Sequence, residues 1–546
     1  MIRHCFPGIL IALLLSNAAF TQRTSFSDTV QQIDQLFAAW NTATPGAAVS
    51  VSRSGKIIYR KAFGMADLEH NVINTPETVF EAGSVSKQFT AAAVLLLVQE
   101  GKINLQDDIR KYFPDFPDYG VTITVEHLLH HTSGLKDWGS VISLSGWPRG
   151  TRIYTPAHVK EIIWRQKGLN FLPGSAYGYS NSNYNFLGFL VEKVSGRNLR
   201  DFTHEKLFVP AGMDNTRWRD NFRTIVPNRA IAYSRFGNLY RQNMPFENTF
   251  GHGALLTTIG DLEKWNRRWT LQTLGEEINR LQKTKVKLTN GKEITYAAGV
   301  TVTSVNGFEE INHSGATAGY RAWLAYYPEK ELSVVYLSND GSIDPGTMGR
   351  QVAELFLGKN NPPLPPAPET TLKIDKEQLQ KYTGLYIRHI NDDVLELYLS
   401  SDSLRVKGMG GGLIPFAPQQ FYFRGFILSF PAVGENAGQV LFQSPSGDTA
   451  TYLRVKTFRP AEKELQEFAG AYYSEEADAK VILQVKDGRL WLLRHGDERT
   501  ALTPSFTDAF FDTDESLFQF IRDKRKKVTG FTVSIPRARN VLFTRL

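Results

Sequence analysis

The stretch FEAGSVSKQFTAAAVLLLVQEGK occupies residues 80–102 and contains a long apolar run. Residues 91–98 are continuously apolar, and a helix that is apolar on every side must be buried. Ser84 and Lys87 stand one turn apart where this helix begins, so they share a face beside free N–H groups that favour negative charge. Burial lowers the pKa of a lysine, which can then take a proton from a serine hydroxyl. The stretch therefore predicts a buried helix, ended by Gly101, with a candidate nucleophile at its start.

The serine–lysine pair is weak as a sign of chemistry when it stands alone, because an N-terminal serine commonly caps a helix. A second match, SGLK at 133–136, has the same spacing. There Gly134 interrupts the local helix and no apolar helix follows, so Ser133 and Lys136 need not share a face.

Two further motifs strengthen the case for chemistry. Tyr179 and Asn181 form the one Tyr-x-Asn of the chain, between a Pro/Gly-rich loop and an apolar helical pattern. A phenol near a buried ammonium can serve as a base, and an asparagine offers both a donor and an acceptor to a substrate amide. His313 and Gly315 form the one His-x-Gly, next to a predicted strand, where a glycine lets a ligand approach the backbone. Structural roles as a loop tyrosine, a helix cap and a strand-end histidine are the alternatives.

These motifs, in this order, resemble those of the penicillin-recognising serine hydrolases: class C β-lactamases, DD-carboxypeptidases, related esterases and D-aminopeptidases. The similarity covers roughly residues 28 to 358 and includes VEHLLHHTSGL (125–135), PAGMDNT (210–216) and GHGALLTTIGDLEKW (251–265). It implies an α+β catalytic domain in which an antiparallel sheet is flanked by helices, with a helical subdomain and the site between them.

The resemblance also implies a mechanism without cofactor or metal. Ser84 would attack a carbonyl and form an acyl-enzyme, while Lys87 and Tyr179 remove its proton and pass one to the leaving group. The backbone N–H groups of Ser84 and Ala316 would form the oxyanion hole. Asn181 would position the substrate amide and Lys87, and water would release the product.

The chain departs from the β-lactamase pattern at the third motif. Neither Lys-Thr-Gly nor Lys-Ser-Gly occurs, and His313 and Ser314 take the first two positions before Gly315. A histidine is largely neutral at pH 7, so it lacks the permanent charge that would hold a substrate carboxylate. His-x-Gly is similar to what D-aminopeptidases and some esterases carry.

Several domains are expected from 546 residues. Five prolines within residues 362–368 indicate an extended linker, and the sequence beyond it reads as short alternating strands. The tail repeats itself: LQKYTGLY begins at Leu379 and LQEFAGAY at Leu465, which indicates two duplicated β-barrels, as D-aminopeptidases carry. The predicted domains are a hydrolase domain at 23–360, a linker at 361–374 and β-barrels at 375–460 and 461–546.

Two hairpins are expected within the hydrolase domain. Residues 46–64 predict one, with Ser54-Gly55 at its turn, and residues 322–340 predict the other. One antiparallel sheet made from both, with helices inserted between them in sequence, would fit the pattern.

The N-terminus reads as a signal peptide at 1–22. Arg3 and His4 precede the apolar PGILIALLL, and the small residues of SNAAF indicate cleavage near Ala19 to Gln22. The apolar run is too short to span a bilayer, so a periplasmic or secreted protein without stable membrane insertion is expected. Cys5 is the one cysteine, so a mature chain would have no disulfides.

Composition is that of an ordinary globular protein, with 42% hydrophobic and 21% charged residues and a net charge of +7. No stripe of arginines interleaves with aromatic residues, which argues against nucleic-acid binding. The expected partner is a small peptide, amide or ester substrate, and the oligomeric state stays open.

A metal hydrolase and an α/β-hydrolase are the competing classes of enzyme. The histidines of HLLHH (His127, His130 and His131) have a spacing that zinc sites use, but no glutamate lies between them. No Gly-x-Ser-x-Gly elbow of an α/β-hydrolase occurs. Peptides that contain D-amino acids are the first expectation for the substrate, an esterase or β-lactamase is the alternative, and a non-catalytic penicillin-binding sensor is the alternative of another class.

Overall fold

The computed structural model describes residues 26–358, 371–388, 393–431, 438–444, 449–495 and 499–546. The predicted signal peptide and most of the predicted linker lie outside these ranges. The α-helices are α1 (Phe26–Leu36), α2 (Lys87–Gln99), α3 (Val125–Leu129), α4 (Trp138–Ser143), α5 (Pro156–Trp164), α6 (Asn181–Ser195), α7 (Leu199–Thr203), α8 (Val209–Ala211), α9 (Ile259–Leu271), α10 (Glu276–Lys283), α11 (Pro345–Leu357), α12 (Lys376–Gln380) and α13 (Glu462–Leu465).

The strands up to residue 338 are β1 (Ala47–Arg53), β2 (Lys56–Phe63), β3 (Met65–Asp67), β4 (Val72–Ile73), β5 (Phe80–Glu81), β6 (Arg217–Trp218), β7 (Tyr233–Phe236), β8 (Leu239–Gln242), β9 (Leu255–Thr257), β10 (Thr301–Val305), β11 (Phe308–Thr317), β12 (Tyr320–Tyr327) and β13 (Leu332–Ser338).

Further along the chain follow β14 (Gly384–Arg388), β15 (Asp393–Ser400), β16 (Ser403–Val406), β17 (Ile414–Ala417), β18 (Gln420–Phe423), β19 (Phe426–Ser429), β20 (Gln439–Gln443) and β21 (Thr449–Val455). The last strands are β22 (Gly470–Ser474), β23 (Ala479–Lys486), β24 (Arg489–Leu493), β25 (Arg499–Pro504), β26 (Ala509–Phe511), β27 (Leu517–Arg522), β28 (Val528–Ile535) and β29 (Ala538–Arg545).

Both predicted hairpins enter one antiparallel sheet, whose strand order is β10-β11-β12-β13-β1-β2. Ser54 (φ 49°) and Gly55 (φ 73°) make the turn between β1 and β2. β1 pairs directly with β13, from Ala47 opposite Ser338 onward, so distant parts of the chain close the sheet. The α+β fold predicted from the sequence is confirmed.

Helices cover both faces of this sheet. Alternate side chains of β1 point to opposite sides, as the period of a strand requires. Val49 and Val51 pack with α1 and α11, while Ala48 belongs to the larger core that contains α2. α2 is buried around most of its surface, which explains why residues 91–98 contain no polar side chain.

The two C-terminal domains are all-β, but only one ladder closes among the described residues. Strands β22 to β29 form a closed barrel, whereas β14 to β21 form an open sheet that ends at β16 and β17. The glycine-rich segment GMGGG (408–412) joins those two edge strands. The expectation of two barrels is therefore corrected to one barrel and one half-barrel, because β16 and β17 do not pair as strands.

Both C-terminal domains contain the same corner of a glycine, a tyrosine and an arginine. The glycine has φ of 149° in one copy and 152° in the other, and the tyrosine hydroxyl donates to the carbonyl four residues earlier. The arginine lies 5.7 and 5.8 Å from the tyrosine ring centroid. These features support the duplication inferred from the sequence repeat. The residues are Gly384, Tyr386 and Arg454 in one copy and Gly470, Tyr472 and Arg545 in the other.

The closed barrel packs against the hydrolase domain, and their side chains belong to one continuous hydrophobic core. A buried ion pair joins them: Lys136 Nζ lies 2.6 Å from a carboxylate oxygen of Glu476, and both side chains are less than 5% exposed. Over the described residues, none of the helices has the length and apolar content needed to cross a membrane.

Candidate active site

Ser84 lies on a 3₁₀ turn, Gly83–Ser86, that runs directly into α2. The residue before this turn is Ala82, so Ser84 is not the cap that a purely structural role would require. α2 itself begins at Lys87, one turn later than the sequence suggests. Ser84 therefore presents its hydroxyl from the turn into a cavity, instead of satisfying the helix end.

The second half of strand β11 lies against this turn, on the side where β11 has no neighbouring strand. β10 pairs with β11 only as far as Asn312, so residues 313–317 are left without a strand on that side. A Cβ on Gly83 would lie 2.7 Å from the Ala316 nitrogen, and one on Gly315 would overlap the Ala82 carbonyl oxygen. Gly315 is thus required by the approach of the Ala82 backbone, a reason that the sequence alone did not reveal. The contact places Ala316 beside the 3₁₀ turn, and Ser84 and Ala316 line the same cavity, so their backbone N–H groups are the candidates for an oxyanion hole.

The Lys87 amine is enclosed by three oxygen atoms. Nζ lies 3.1 Å from Ser84 Oγ, 2.9 Å from Asn181 Oδ1 and 2.6 Å from the carbonyl oxygen of His252. A neutral amine has two N–H donors and one lone pair. The amide and carbonyl oxygens can only accept, so they take both donors, and the lone pair is left facing the Ser84 hydroxyl.

Burial favours that neutral form. The Lys87 side chain is fully buried, and loss of hydration lowers its pKa well below the ordinary value for lysine. The positive charges of Arg537 and Arg149 lower the pKa further, while Asp137 opposes them. Lys87 can therefore act as the base that removes the Ser84 proton.

The Tyr179 ring lies next to this amine, with its centroid 4.8 Å from Lys87 Nζ. Burial raises the pKa of Tyr179 above its ordinary value, although a hydrogen bond with Ser84 and the charge of Arg537 act in the opposite direction. The raised pKa favours the protonated phenol at rest. Tyr179 can still relay a proton, because it adjoins both the nucleophile and the amine.

Asn181 begins α6, where its backbone N–H donates to Asp137 Oδ2 at 2.7 Å. The side chain is thereby fixed with Oδ1 toward Lys87. Asp137 is also the N-cap of α4, so one carboxylate ties two helix starts to the site.

His313 lies on β11 and is 6% exposed. Its Nδ1 lies 2.6 Å from the Ser314 carbonyl oxygen and therefore carries the proton, which leaves Nε2 to accept from the Tyr296 hydroxyl at 3.0 Å. Burial, with a contribution from the charge of Lys87, lowers the pKa of His313 to about 3. The histidine is neutral at pH 7, so it cannot supply the charge of the lysine it replaces.

A cavity of about 460 Å³ opens over these groups. Two carboxylates line it, and arginines hold both: Glu247 pairs with Arg149 and Arg219, and Glu81 pairs with Arg219 and Arg229. The acidic groups are therefore neutralised within the protein and do not present free charge to a substrate.

The closed barrel also contributes to the cavity. Arg537, in the tight turn between β28 and β29, lines it and lies 4.9 Å from the Tyr179 ring centroid. Its carbonyl oxygen accepts from the Asp137 N–H at 2.9 Å and from the Asn170 side-chain amide at 3.1 Å. The last domain thus takes part in the site of the first.

The structure brings together the residues predicted from the sequence, namely Ser84, Lys87, Tyr179, Asn181, His313, Gly315 and Ala316. Sequence analysis missed His252, Tyr296, Arg149 and Arg537. His252 falls within the recognised stretch 251–265 and could have been found there. The other three belong to none of the recognised motifs.

The second serine–lysine match serves another purpose. Ser133 is buried and its hydroxyl donates to Asn183 Oδ1 at 2.7 Å, while Lys136 extends to Glu476 of the barrel. The two side chains diverge, because residues 130–137 are not helical and Gly134 has a φ of 77°.

The histidines of HLLHH pack within the domain. The ring nitrogens of His130 lie 3.0 and 3.2 Å from the carbonyl oxygens of Glu126 and Thr284. The His127 ring belongs to the capping box that starts α3, and His131 is fully buried. The three do not converge as a metal-binding group within the part of the chain that the structure describes.

Comparison with known proteins agrees with this geometry. The model of the family described as beta-lactamase matches residues 26–355. The chain belongs to the beta-lactamase family.

Relatives extend the similarity into the C-terminal domains. The chain is 27% identical to penicillin-binding protein 4* of Bacillus subtilis (strain 168) over 75% of this chain and 94% of that protein. It is 26% identical to a D-aminopeptidase of Brucella canis over 93% of this chain and 96% of that protein. A solved structure, described as that of the octameric penicillin-binding protein homologue from Pyrococcus abyssi, is similar in fold with a TM-score of 0.53, at 22% identity over 87% of this chain and 99% of that one.

As a member of this family with a D-aminopeptidase among its relatives, the protein is a serine hydrolase. Its substrate and its location are separate questions.

Proposed function

We propose that this protein is an exported serine hydrolase that forms an acyl-enzyme on Ser84 and cleaves an amide or ester bond in peptides that contain D-amino acids. The observation that carries the proposal is the arrangement at Lys87: two acceptors at 2.9 and 2.6 Å occupy its N–H groups and leave its lone pair toward Ser84 Oγ at 3.1 Å. Such an amine is preorganised as a base for this hydroxyl.

The reaction follows from the positions of these groups. Ser84 Oγ forms a bond to the substrate carbonyl carbon as its proton moves to Lys87. The N–H groups of Ser84 and Ala316 stabilise the oxyanion. Tyr179 relays the proton to the leaving amine or alcohol, whose bond to the carbonyl carbon breaks. Water then attacks the acyl-enzyme, gives up a proton through the same groups, and releases the acid and free Ser84.

The substrate class rests on relatives and on the third motif. A D-aminopeptidase relative covers 93% of this chain, including both C-terminal domains. His313, in place of the lysine of β-lactamases, is neutral and therefore favours peptide or ester substrates over β-lactams. Export is proposed on the basic start, apolar run and small residues of the first 22 positions.

Ser84→Ala tests the chemistry. The variant should keep its circular dichroism spectrum and lose turnover by at least about 10³-fold, because the nucleophile is gone. Ser133→Ala is the matched control, since it removes the serine of the other Ser-x-x-Lys sequence. It should lose some stability but keep turnover per folded molecule. Unchanged turnover in Ser84→Ala would refute the proposal.

A substrate panel separates the alternatives. D-aminoacyl anilides, D-Ala-D-Ala peptides, nitrophenyl esters and cephalosporins should be compared, and the substrates that contain a D-amino acid should be turned over faster than simple esters and cephalosporins. Preference for simple esters or cephalosporins would instead favour an esterase or a β-lactamase. Stoichiometric labelling of Ser84 without release of product would favour a penicillin-binding sensor.

A further inference from the structure

The barrel places a positive charge inside the active-site cavity. Arg537 is at the tip of the β28–β29 hairpin and lines the same cavity as Ser84, Tyr179 and His313. Its guanidinium lies over the ring of Tyr179, whose hydroxyl bonds to the nucleophile. A substrate positioned for attack by Ser84 therefore comes close to this cation.

The hairpin tip is held in place. The Arg537 carbonyl accepts two hydrogen bonds from the hydrolase domain, one of them from Asn170. The Asn170 side chain also accepts from the Arg539 N–H at 2.8 Å, so this one amide bonds to the hairpin at its tip and at the start of β29. The buried pair of Lys136 and Glu476 anchors the barrel nearby. Arg537 is therefore preorganised, although its side chain is exposed to the cavity.

No carboxylate within the described ranges pairs with Arg537. The other arginines that line the cavity, Arg149 and Arg219, are held by Glu247 and Glu81. Among the arginines of the described residues that line this cavity, Arg537 is therefore the one whose charge is available to a ligand.

We propose that Arg537 binds a carboxylate of the substrate and makes the enzyme selective for anionic peptides over peptides with a free ammonium near the scissile bond. A guanidinium pairs with a carboxylate through two parallel hydrogen bonds and repels an ammonium. The inference rests on the proposed function, since it assigns the substrate of the same site. Among peptides that contain D-amino acids, Arg537 would disfavour those with a free N-terminus at the cavity and favour those with a carboxylate there.

The substrate carboxylate could lie on the acyl side or on the leaving-group side, and matched substrates distinguish the two. N-succinyl-D-alanyl p-nitroanilide carries it on the acyl side, and N-acetyl-D-alanyl-D-alanine carries it on the leaving group. Their partners are the N-acetyl anilide and the dipeptide amide, which are neutral. D-Alanyl p-nitroanilide supplies the ammonium. For each pair, the ratio of kcat/KM is measured at a pH on the plateau of the profile.

Arg537→Gln should lower the carboxylate-to-neutral ratio of one pair by at least about tenfold, as expected for loss of a charge-assisted hydrogen bond. The pair that responds identifies the side. Arg537→Lys should keep part of the preference, and Arg537→Glu should shift it toward the ammonium substrate. Arg525→Gln is the matched control, since Arg525 lies on the neighbouring β27–β28 turn and does not line the cavity. Equal ratios in wild type and Arg537→Gln for both pairs would overturn the inference.

A labelling experiment separates this inference from the proposed function. Two alkyl fluorophosphonates that differ only in a terminal carboxylate or carboxamide react with an activated serine, whatever the natural substrate is. Faster labelling of Ser84 by the carboxylate probe, lost in Arg537→Gln, supports the inference. Equally fast labelling by both probes refutes it while leaving the nucleophile intact. No labelling by either probe refutes the proposed function and the inference with it.

Discussion

The Lys87 amine shows how one buried group can be tuned by residues that are distant in sequence. Its base strength depends on desolvation by α2 and α6 and on the charge of Arg537 from the barrel. The amine must be neutral to accept the Ser84 proton, so activity requires a pH above its pKa. The pH profile is therefore a direct measure of this environment.

We predict that kcat/KM for a neutral substrate falls on the acid side as Lys87 becomes protonated, with a midpoint well below the ordinary pKa of lysine. Removal of a nearby positive charge favours the ammonium and raises the pKa. Arg537→Gln should therefore move the acid limb to higher pH. A stopped assay across the pH range measures the shift.

Lys87→Arg serves as the control, because a guanidinium does not lose its proton in this range. It should lower kcat by about 10²–10⁴-fold at every pH. An acid limb that stays in place in Arg537→Gln would mean that another group controls it.

At this scale the sequence located the predicted side chains but not their protonation states. Ser84, Lys87 and Asn181 lie in short motifs whose spacing can be read directly. Whether Tyr179 is a phenol or a phenolate depends on the balance between burial and nearby cations, and those contacts come from separate segments. Only the folded chain shows that burial dominates.

At the scale of elements, the site depends on how closely β11 approaches the 3₁₀ turn. Two glycines permit that approach, because Gly83 and Gly315 each face backbone atoms of the other element. The spacing between the Ser84 and Ala316 N–H groups follows from this contact, so an oxyanion hole formed by these two groups would depend on both elements jointly.

We predict that Gly315→Ala destabilises the protein by roughly 3 kcal/mol and lowers kcat by about 10²-fold, because the new methyl overlaps the Ala82 carbonyl and separates the strand from the turn. Thermal unfolding and steady-state kinetics check the two effects.

Gly253→Ala is the matched control, since its nearest neighbour beyond the adjacent residues, the Gly83 carbonyl oxygen, would lie at 3.8 Å, an ordinary contact. It should change the unfolding free energy by less than about 1 kcal/mol. Comparable losses in both variants would show that the close approach is not the cause.

The hairpins and the buried helix were predictable because each is encoded locally, by alternation, turn residues and an apolar run. The start of α2 was placed one turn early, since a 3₁₀ turn and an α-helix look alike in sequence. The open ladder of β14 to β21 was missed because closure depends on whether distant edges meet.

At the scale of the whole molecule, the closed barrel and the hydrolase domain form one packed unit. It shares a hydrophobic core with the hydrolase domain, and Lys136 and Glu476 form an ion pair at the junction. Asp137, the residue after Lys136, bonds both to the Arg537 carbonyl and to the Asn181 N–H. Docking of the barrel and placement of Asn181 are therefore linked through two adjacent residues.

We predict that Lys136→Met destabilises the protein by about 3–5 kcal/mol, because it leaves the Glu476 carboxylate buried without its partner. The additional change Glu476→Leu should recover part of the loss, since it removes the unpaired charge. Chemical denaturation of the two variants measures both values.

Lys407→Met provides the comparison, because it breaks a pair with Glu396 that lies at the surface. Its effect should stay below about 1 kcal/mol. Equal effects at positions 136 and 407 would show that burial of the junction pair is unimportant.

The domain contact was beyond sequence analysis. The tail was recognised as all-β from its alternation and repeat, but Arg537 belongs to no motif and contacts Asn170, which lies 367 positions earlier. The pairing of two surfaces depends on their shapes, which one sequence without its fold does not reveal.

The same separation sets an order of events for each new molecule. A chain that emerges N-terminus first, from a ribosome or a translocation pore, presents Asn170 long before the arginine that belongs beside it. At ordinary rates of translation the interval is about 20 to 70 s. During that time the serine and its lysine have been synthesised, while the guanidinium proposed to choose among substrates is still missing. Completion of the catalytic site and acquisition of selectivity would therefore both wait for the end of the chain.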